Sequence, residues 1–199
     1  MEFSVLMTVY DKEKPYNLRK SLLTSYQQTI KPTEIILVCD GELTQELYDE
    51  IERIKSEIPI LKVYQLDTNV GSGPASRFGV EKCNTDLIAR MDSDDYSVET
   101  RFEKQIKAFE ENPNLIMVGT NILEKNTEFT ALKTVPEKTE EIREYSKFRN
   151  PFNNPSSMMK KEYILKVGNY RKFRYLEDYD LIMRLIHDNP TKDFLNIQE

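Results

Sequence analysis

Only two cysteines, Cys39 and Cys83, occur in the sequence, which excludes a disulfide framework built around a small core. Each lies in or beside an apolar stretch, so both are expected as buried thiols in a reducing compartment. No zinc-type spacing is present. The single histidine, His187, falls at the end of the last predicted helix, where a surface position is expected. Long apolar runs are missing, so no segment is predicted to span a membrane. The opening MEFSVLMTVY lacks the length and basic start of a signal peptide. A positive charge excess is missing as well: the net charge of −6 argues against a nucleic-acid partner, whose phosphate backbone calls for a basic surface. Repeats and low-complexity tracts are absent. A soluble, cytoplasmic protein is expected.

What remains is an ordinary globular composition, with 39% apolar and 31% charged residues in 199, enough for one sizeable domain with a real core. The first half alternates two kinds of segment. Compact apolar runs at Phe3–Val9, Glu34–Cys39, Leu61–Leu66, Leu87–Met91 and Ile116–Gly119 read as strands. Between them, Leu18, Leu22, Leu23, Tyr26 and Ile30, then Leu43, Leu47, Ile51, Ile54 and Ile58, recur at helical spacing. Gly73–Cys83 also reads as a helix, weakened by Gly79, and a further helix is expected from about Val98 to Glu111, with Phe102, Ile106 and Phe109 inward. This order predicts an α/β fold: a mostly parallel, Rossmann-like sheet flanked by helices, with a smaller second half.

The second half is less regular. One or two short strands are expected within 121–136, and a polar helix at Thr139–Lys147. The turn-rich NPFNNP (150–155) leads to a strand at Ser157–Met159, then to a short helix ending on Gly168 as a left-handed cap. A helix from Asp178 turns Leu181, Ile182, Leu185 and Ile186 inward. The chain closes on DFLNIQE, a strand just beginning, and this abrupt end predicts further chain beyond Glu199 in the natural protein.

Ligands of an open parallel sheet bind beyond the carboxyl ends of its strands. Those ends carry Thr8, Tyr10 and Asp11; Asp40 and Gly41; Asp67, Asn69, Gly71 and Gly73; and Asp92, Asp94 and Asp95. The last set is the sharpest. Three carboxylates within four residues repel one another unless a cation lies between them, and magnesium or manganese is typically held by one or two carboxylates plus substrate phosphates. The competing reading is an acidic turn capping the next helix through Asp95 or Ser97. Capping accounts for one acid and not for three.

These segments, taken in order, resemble the glycosyltransferase family 2 enzymes. SVLMTVYDKEKPYNLRKSLLTSYQQT is similar to the family's first strand and helix, and EIILVCDG to its second strand and acidic turn. NVGSGPASRFGVEKCNTDLIARMDSDD is similar to the stretch ending in its D-x-D motif, and LEDYDLIMRL to the late E-D motif. The resemblance implies the GT-A fold over the whole chain as one domain, with a nucleotide-sugar-binding half (about 1–120) and an acceptor-binding half (about 121–199). It further implies inverting transfer from a nucleotide-sugar donor, most often a UDP-sugar, to a saccharide or lipid-linked saccharide acceptor.

The resemblance also implies the following residue roles, position by position. Thr8, Val9 and Tyr10 line the nucleotide, Asp40 accepts a hydrogen bond from the base, and Arg77 lies by the base or diphosphate. Asp92 lies by the ribose or sugar, and Asp94 ligates the Mn2+ or Mg2+ that bridges the phosphates. The resemblance makes Asp178 the general base, the group that would take the proton of a sugar hydroxyl that is otherwise a poor nucleophile. It also sits where a helix begins, a position at which an acid serves as a cap. Glu177 and Asn154 support it or touch the acceptor. Three departures from the family pattern stand out: Asp11 where Asn is commoner, Glu42 in place of a small residue, and Asn154 where relatives often carry His. The last keeps hydrogen bonding and loses any titrating role.

Six basic residues and one acid between Lys160 and Arg174 run against the acidic average. The default reading is a solvated face. The alternative is a surface meeting an anionic lipid-linked acceptor at the inner face of the membrane, where each basic residue adds about 1 kcal/mol. Rival activities fit less well. Nucleotidyl transfer wants a glycine-rich phosphate loop after the first strand, and TVYDKEKPY has no glycine; the glycines of GSGPASRFG miss the dinucleotide-binding spacing. A catalytically silent nucleotide-sugar or glycan-binding module would keep the donor site and lose transfer, and the presence of both Asp94 and Asp178 argues against it.

Overall fold

The computed structural model describes residues 1–125 and 128–198. Its first half contains strands β1 (Phe3–Val9), β2 (Glu34–Cys39), β3 (Leu61–Gln65) and β4 (Leu87–Asp92), separated by helices α1 (Pro15–Tyr26), α2 (Gln45–Lys55) and α3 (Ser72–Lys82). Helix α4 (Arg101–Glu111) and strand β5 (Leu115–Thr120) follow. The runs expected as strands are strands, within a residue or two. Leu43 and Ile58, expected on α2, flank it instead, buried against the same core.

Seven strands form one sheet in the order β3-β2-β1-β4-β8-β5-β9. All run parallel except β8 (Met158–Lys160), which pairs antiparallel with both β4 and β5. The second half therefore threads a strand into the sheet begun by the first. The closing segment forms β9 (Asp193–Ile197), parallel to β5. The short strands expected within 121–136 are a two-stranded ribbon, β6 (Ile122–Lys125) and β7 (Thr130–Lys133); residues 126 and 127 lie outside the described residues. Helices α5 (Thr139–Ser146), α6 (Lys161–Lys166) and α7 (Glu177–Asp188) complete the chain. Gly168, at φ +90°, takes the left-handed conformation expected after α6.

The core is two layers, one on each face of the sheet. Leu18 and Leu22 of α1, Leu47, Ile51 and Ile54 of α2, and Phe102, Ile106 and Phe109 of α4 cover one face. Ala75 and Val80 of α3, Ile142 of α5, Ile164 of α6 and the α7 row Leu181, Ile182, Leu185 and Ile186 cover the other. Strand β2 is buried along its full length, which is why EIILVC is apolar without alternation. Gly79, which weakened α3 as a helix, has a packing reason: a Cβ there would overlap Leu6 Cδ1 of β1. Both cysteines are buried thiols, pushed up to about 11 for Cys39 and about 12 for Cys83 chiefly by burial, and so unreactive. No helix among the described residues is long and apolar enough to cross a membrane.

One expectation about caps is corrected. Helix α4 begins at Arg101, three residues later than expected, and neither Asp95 nor Ser97 caps it. The backbone N–H of Asp95 instead closes a turn onto the carbonyl of Asp92 at 3.3 Å. The orphan donor of Phe102 is met from across the fold by Gln28 Oε1 at 3.4 Å, while Gln28 Nε2 donates to the carbonyl of Val98.

Candidate active site

Strand β1 pairs with β2 on one side and β4 on the other, so the chain order reverses between β1 and β4 and leaves a crevice at their carboxyl ends. Thr8 stands directly opposite Asp92 in that register, and the backbone N–H of Asp40 donates to the carbonyl of Val9 at 2.7 Å. Two adjoining cavities open above these strand ends. The larger, about 570 Å³, is lined by Thr8, Val9, Tyr10, Asp40 and the first turn of α3. The smaller, about 390 Å³, is lined by Asp92, Asn154, Glu177 and Asp178. Ser72 and Glu177 border both, which makes them one cleft of the size that takes a cofactor-sized ligand.

Asp40 organises the first cavity. Its two carboxylate oxygens accept the backbone N–H groups of Val70 and Gly71 at 2.7 and 3.0 Å. That fixes the turn leading into α3, whose N-terminal residues Ser72, Gly73 and Pro74 face the cavity, a setting that favours an anion. Each oxygen keeps a second lone pair for a ligand. Lys172, Phe173, Arg174 and Tyr175, from the loop before α7, close the opposite wall. Their chemistry was visible only as a basic run; nothing local in sequence tied it to Asp40, some 130 residues earlier.

Arg77, expected by the base or diphosphate, lines neither cavity. Its Nη1 donates to the carbonyls of Gly168 and Tyr170 at 2.9 and 3.4 Å, and its Nε lies 3.5 Å from Glu81. It therefore ties α3 to the loop after α6. One residue along a helix turns the side chain by about 100°, and it is Ser76 that faces the smaller cavity.

The acidic run divides by exposure. Asp94 is exposed, whereas Asp92 is partly buried at the end of β4. The Asp92 carboxyl is raised above its ordinary value first by burial, then by the charges of Asp94 and Asp178, with Arg90 and Arg101 opposing. Asp95 is pushed up to about 6, mainly by burial and then by Asp92 and Asp94. Behind them Arg101, held by the carbonyls of Arg90 and Ser157, is lowered to about 9 by burial. No group of three or more His, Cys, Asp or Glu side chains among the described residues forms a protein-only metal cage. One open carboxylate, Asp94, beside the elevated Asp92 fits the other arrangement, in which a hard divalent cation takes most of its ligands from phosphates and water.

Asp178 lies at the second position of α7. Its Oδ1 accepts the backbone N–H of Tyr179 at 2.8 Å and its Oδ2 accepts Nδ2 of Asn150 at 2.9 Å. Leu176, not Asp178, is the residue flanking the helix start. Burial raises the Asp178 carboxyl, the hydrogen bond from Tyr179 lowers it in part, and Glu177 raises it further. A carboxylate made more basic in a polar cavity is suited to accept a proton. Asn154 begins a 3₁₀ turn, Asn154–Ser156, and lines the same cavity. His187 is exposed and bonded only to Asp188 among the described residues.

A mostly parallel sheet flanked by helices, with a polar cleft at its switch point, is a GT-A type of fold. Residues 4–168 match the family model of Glycosyl transferase family 2, and the chain belongs to that family. It is 35% identical over 185 residues to the amylovoran biosynthesis glycosyltransferase AmsE of Erwinia amylovora, covering 92% of this chain and 69% of that protein. It is also 35% identical over 203 residues to the UDP-Gal:alpha-D-GlcNAc-diphosphoundecaprenol beta-1,3-galactosyltransferase of Escherichia coli, covering all of this chain and 72% of that one. Among solved structures, S. aureus TarS 1–349 in complex with UDP-GlcNAc superposes with a TM-score of 0.78 at 18% identity, over all of this chain and 59% of that one. The mannosyltransferase PcManGT from Pyrobaculum calidifontis, in complex with GDP-Man and Mn2+, gives 0.76 at 11% identity over 55% of its length. The chain thus spans less than two thirds of those solved chains, and at such identities the likeness is one of fold.

Proposed function

We propose that this chain transfers a sugar, with inversion, from a UDP-sugar to a hydroxyl of a saccharide or lipid-linked saccharide in polysaccharide or glycolipid assembly. The observation that carries the reading is the shared border at Ser72 and Glu177: it joins a nucleotide-sized cavity to one holding Asp92 and Asp178. The E. coli relative, named for a UDP-Gal donor and a diphosphoundecaprenol-linked acceptor, supports a UDP donor and a lipid diphosphate acceptor.

In this reading Thr8, Val9, Tyr10 and Asp40 seat the nucleoside, and Lys172, Arg174 and the start of α3 face its diphosphate. Asp94, helped by Asp92, holds Mn2+ or Mg2+. The cation, when bound, offsets the negative charge that builds on the departing diphosphate. Asp178, fixed by Asn150 and by the Tyr179 N–H, takes the proton of the acceptor hydroxyl. The new bond forms from that oxygen to the anomeric carbon as the carbon–diphosphate bond breaks on the opposite side. Glu177, bordering both cavities, orients donor against acceptor, and Asn154 hydrogen-bonds the acceptor side.

The exposed Phe173, Tyr175 and Leu176, interleaved with Arg171, Lys172 and Arg174, support peripheral contact with an anionic membrane at its cytoplasmic face. Calorimetry with UDP and Mn2+ tests the core of the proposal. Asp94→Ala should lose the metal-dependent part of UDP binding, and Asp178→Asn should bind UDP normally yet transfer no sugar. Unchanged UDP affinity in Asp94→Ala, or full turnover by Asp178→Asn, would count against it.

A further inference from the structure

Three of the buried polar atoms without a hydrogen-bond partner among the described residues belong to side chains of one cavity: Ser76 Oγ, Arg90 Nε and Tyr170 Oη. They come from α3, β4 and the loop after α6, and each side chain is no more than 2% exposed. Arg90 is the most demanding. Of its five N–H donors, the protein engages Nη1, which donates to the carbonyl of Leu6 at 3.3 Å. Among the described residues it forms no ion pair, and its guanidinium lies 5.7 Å from the ring centre of Tyr170. A buried guanidinium nitrogen and buried hydroxyls left without a partner each cost a native structure free energy, and a fold retains such groups where a ligand completes them.

The same cavity also carries acids, one of them, Asp92, two residues along β4 from Arg90 and so on the same face of the strand. Asp92, Glu177 and Asp178 line the same cavity. Donors and acceptors around one cavity are what a ring carrying several hydroxyls needs, since each hydroxyl both donates and accepts. Two cations, Arg90 and Lys133, line the cavity with the three carboxylates, and Lys133 is already paired with Glu124 at 3.1 Å, so the lining keeps a negative excess that disfavours a charged uronate. The position also matters: the cavity meets the nucleotide side at Ser72 and Glu177, where a group attached to the terminal phosphate of a nucleotide would enter.

We infer that Ser76, Arg90 and Tyr170 form the recognition floor for the hydroxyls of an uncharged donor sugar, and so set which UDP-sugar the enzyme accepts. This rests on the proposed function and names residues for which no role was visible in sequence.

The test compares UDP with UDP-glucose, UDP-galactose and UDP-N-acetylglucosamine by calorimetry with Mn2+, in wild type, Tyr170→Phe and Ser76→Ala. Both substitutions delete one hydroxyl and leave the packing in place. Each should weaken the preferred UDP-sugar about three- to tenfold while leaving UDP itself unchanged. A deoxy analogue of that sugar lacking the recognised hydroxyl should bind wild type and Tyr170→Phe equally, a signature that a merely structural role would not give. Three results overturn the inference: undiminished sugar binding in both variants, equal loss for UDP and UDP-sugar, or a changed acceptor KM with donor binding intact. Failure of wild type to bind UDP at all would overturn the proposed function first, and the inference with it.

Discussion

Asn150 holds Asp178: its Nδ2 donates to Asp178 Oδ2 at 2.9 Å, while its own Oδ1 accepts the backbone N–H of Phe152 at 3.1 Å. The asparagine is thus fixed at one end and aims its donor at the candidate base. Asn150→Ala should lower kcat about tenfold with little change in UDP affinity, because the base loses its orientation and the donor site does not. A steady-state comparison of kcat with UDP binding checks it, and parallel losses in both would contradict the assignment.

The same pair sets a pH dependence. Burial raises the Asp178 carboxyl above the ordinary 3.8. A general base works only when ionised, so turnover should fall as pH drops through that raised value. The Asn150 hydrogen bond favours the charged form, and its removal should move this acid limb to still higher pH. A kcat–pH profile of wild type against Asn150→Ala reads the shift directly; a limb that stays in place or moves down would be inconsistent.

Lys172 and Arg174 line the nucleotide-side cavity together with Asp40. If they meet the diphosphate, Lys172→Ala and Arg174→Ala should each weaken UDP about three- to tenfold. The loss should shrink as salt is raised, because the wild-type advantage is screened. Uridine, which lacks the phosphates, should bind all three proteins alike.

Glu34 joins three elements far from the cleft. It accepts hydrogen bonds from Ser4 Oγ, Lys62 Nζ, and both Asn84 N and Nδ2. Burial alone would raise this carboxyl, yet those donors outweigh it and bring it down to about 2 from 4.5. A depressed acid stabilises the fold above its unfolded value and loses that contribution as pH falls through its folded value. Lys62 is half exposed, which discounts the pairing. Glu34→Gln should therefore destabilise by about 1–2 kcal/mol at neutral pH, and the difference from wild type should fade between about pH 4.5 and 2. Urea melts at several pH values test this.

Gly79→Ala sets two effects against each other. Alanine gains up to about 1 kcal/mol of helix propensity, but its Cβ would overlap Leu6 Cδ1 in a fully buried core and press on Val38 Cγ2 at 3.1 Å. Overpacking typically costs about 1–3 kcal/mol, so a net loss of about 1–2 kcal/mol is expected. A thermal melt unchanged or raised in Gly79→Ala would show that Leu6 can move aside.

Sequence alone determined the alternation of strands and helices, because a buried parallel strand and an amphipathic helix each write a local period. Leu87–Met91 and the α7 row Leu181, Ile182, Leu185 and Ile186 were legible for that reason. It also put Thr8, Asp40 and Asp92 at strand ends, since chain direction and strand limits suffice for that. Which side chains meet was not legible. That Ser76 and not Arg77 faces the cavity depends on the rotation of α3 against the sheet, set by the close approach at Gly79. That Arg90 lies buried with no salt bridge among the described residues, and that Lys172 and Arg174 reach the cavity of Asp40, depends on contacts between segments distant in sequence. Local periodicity carries no record of such contacts, so only the tertiary structure decided them.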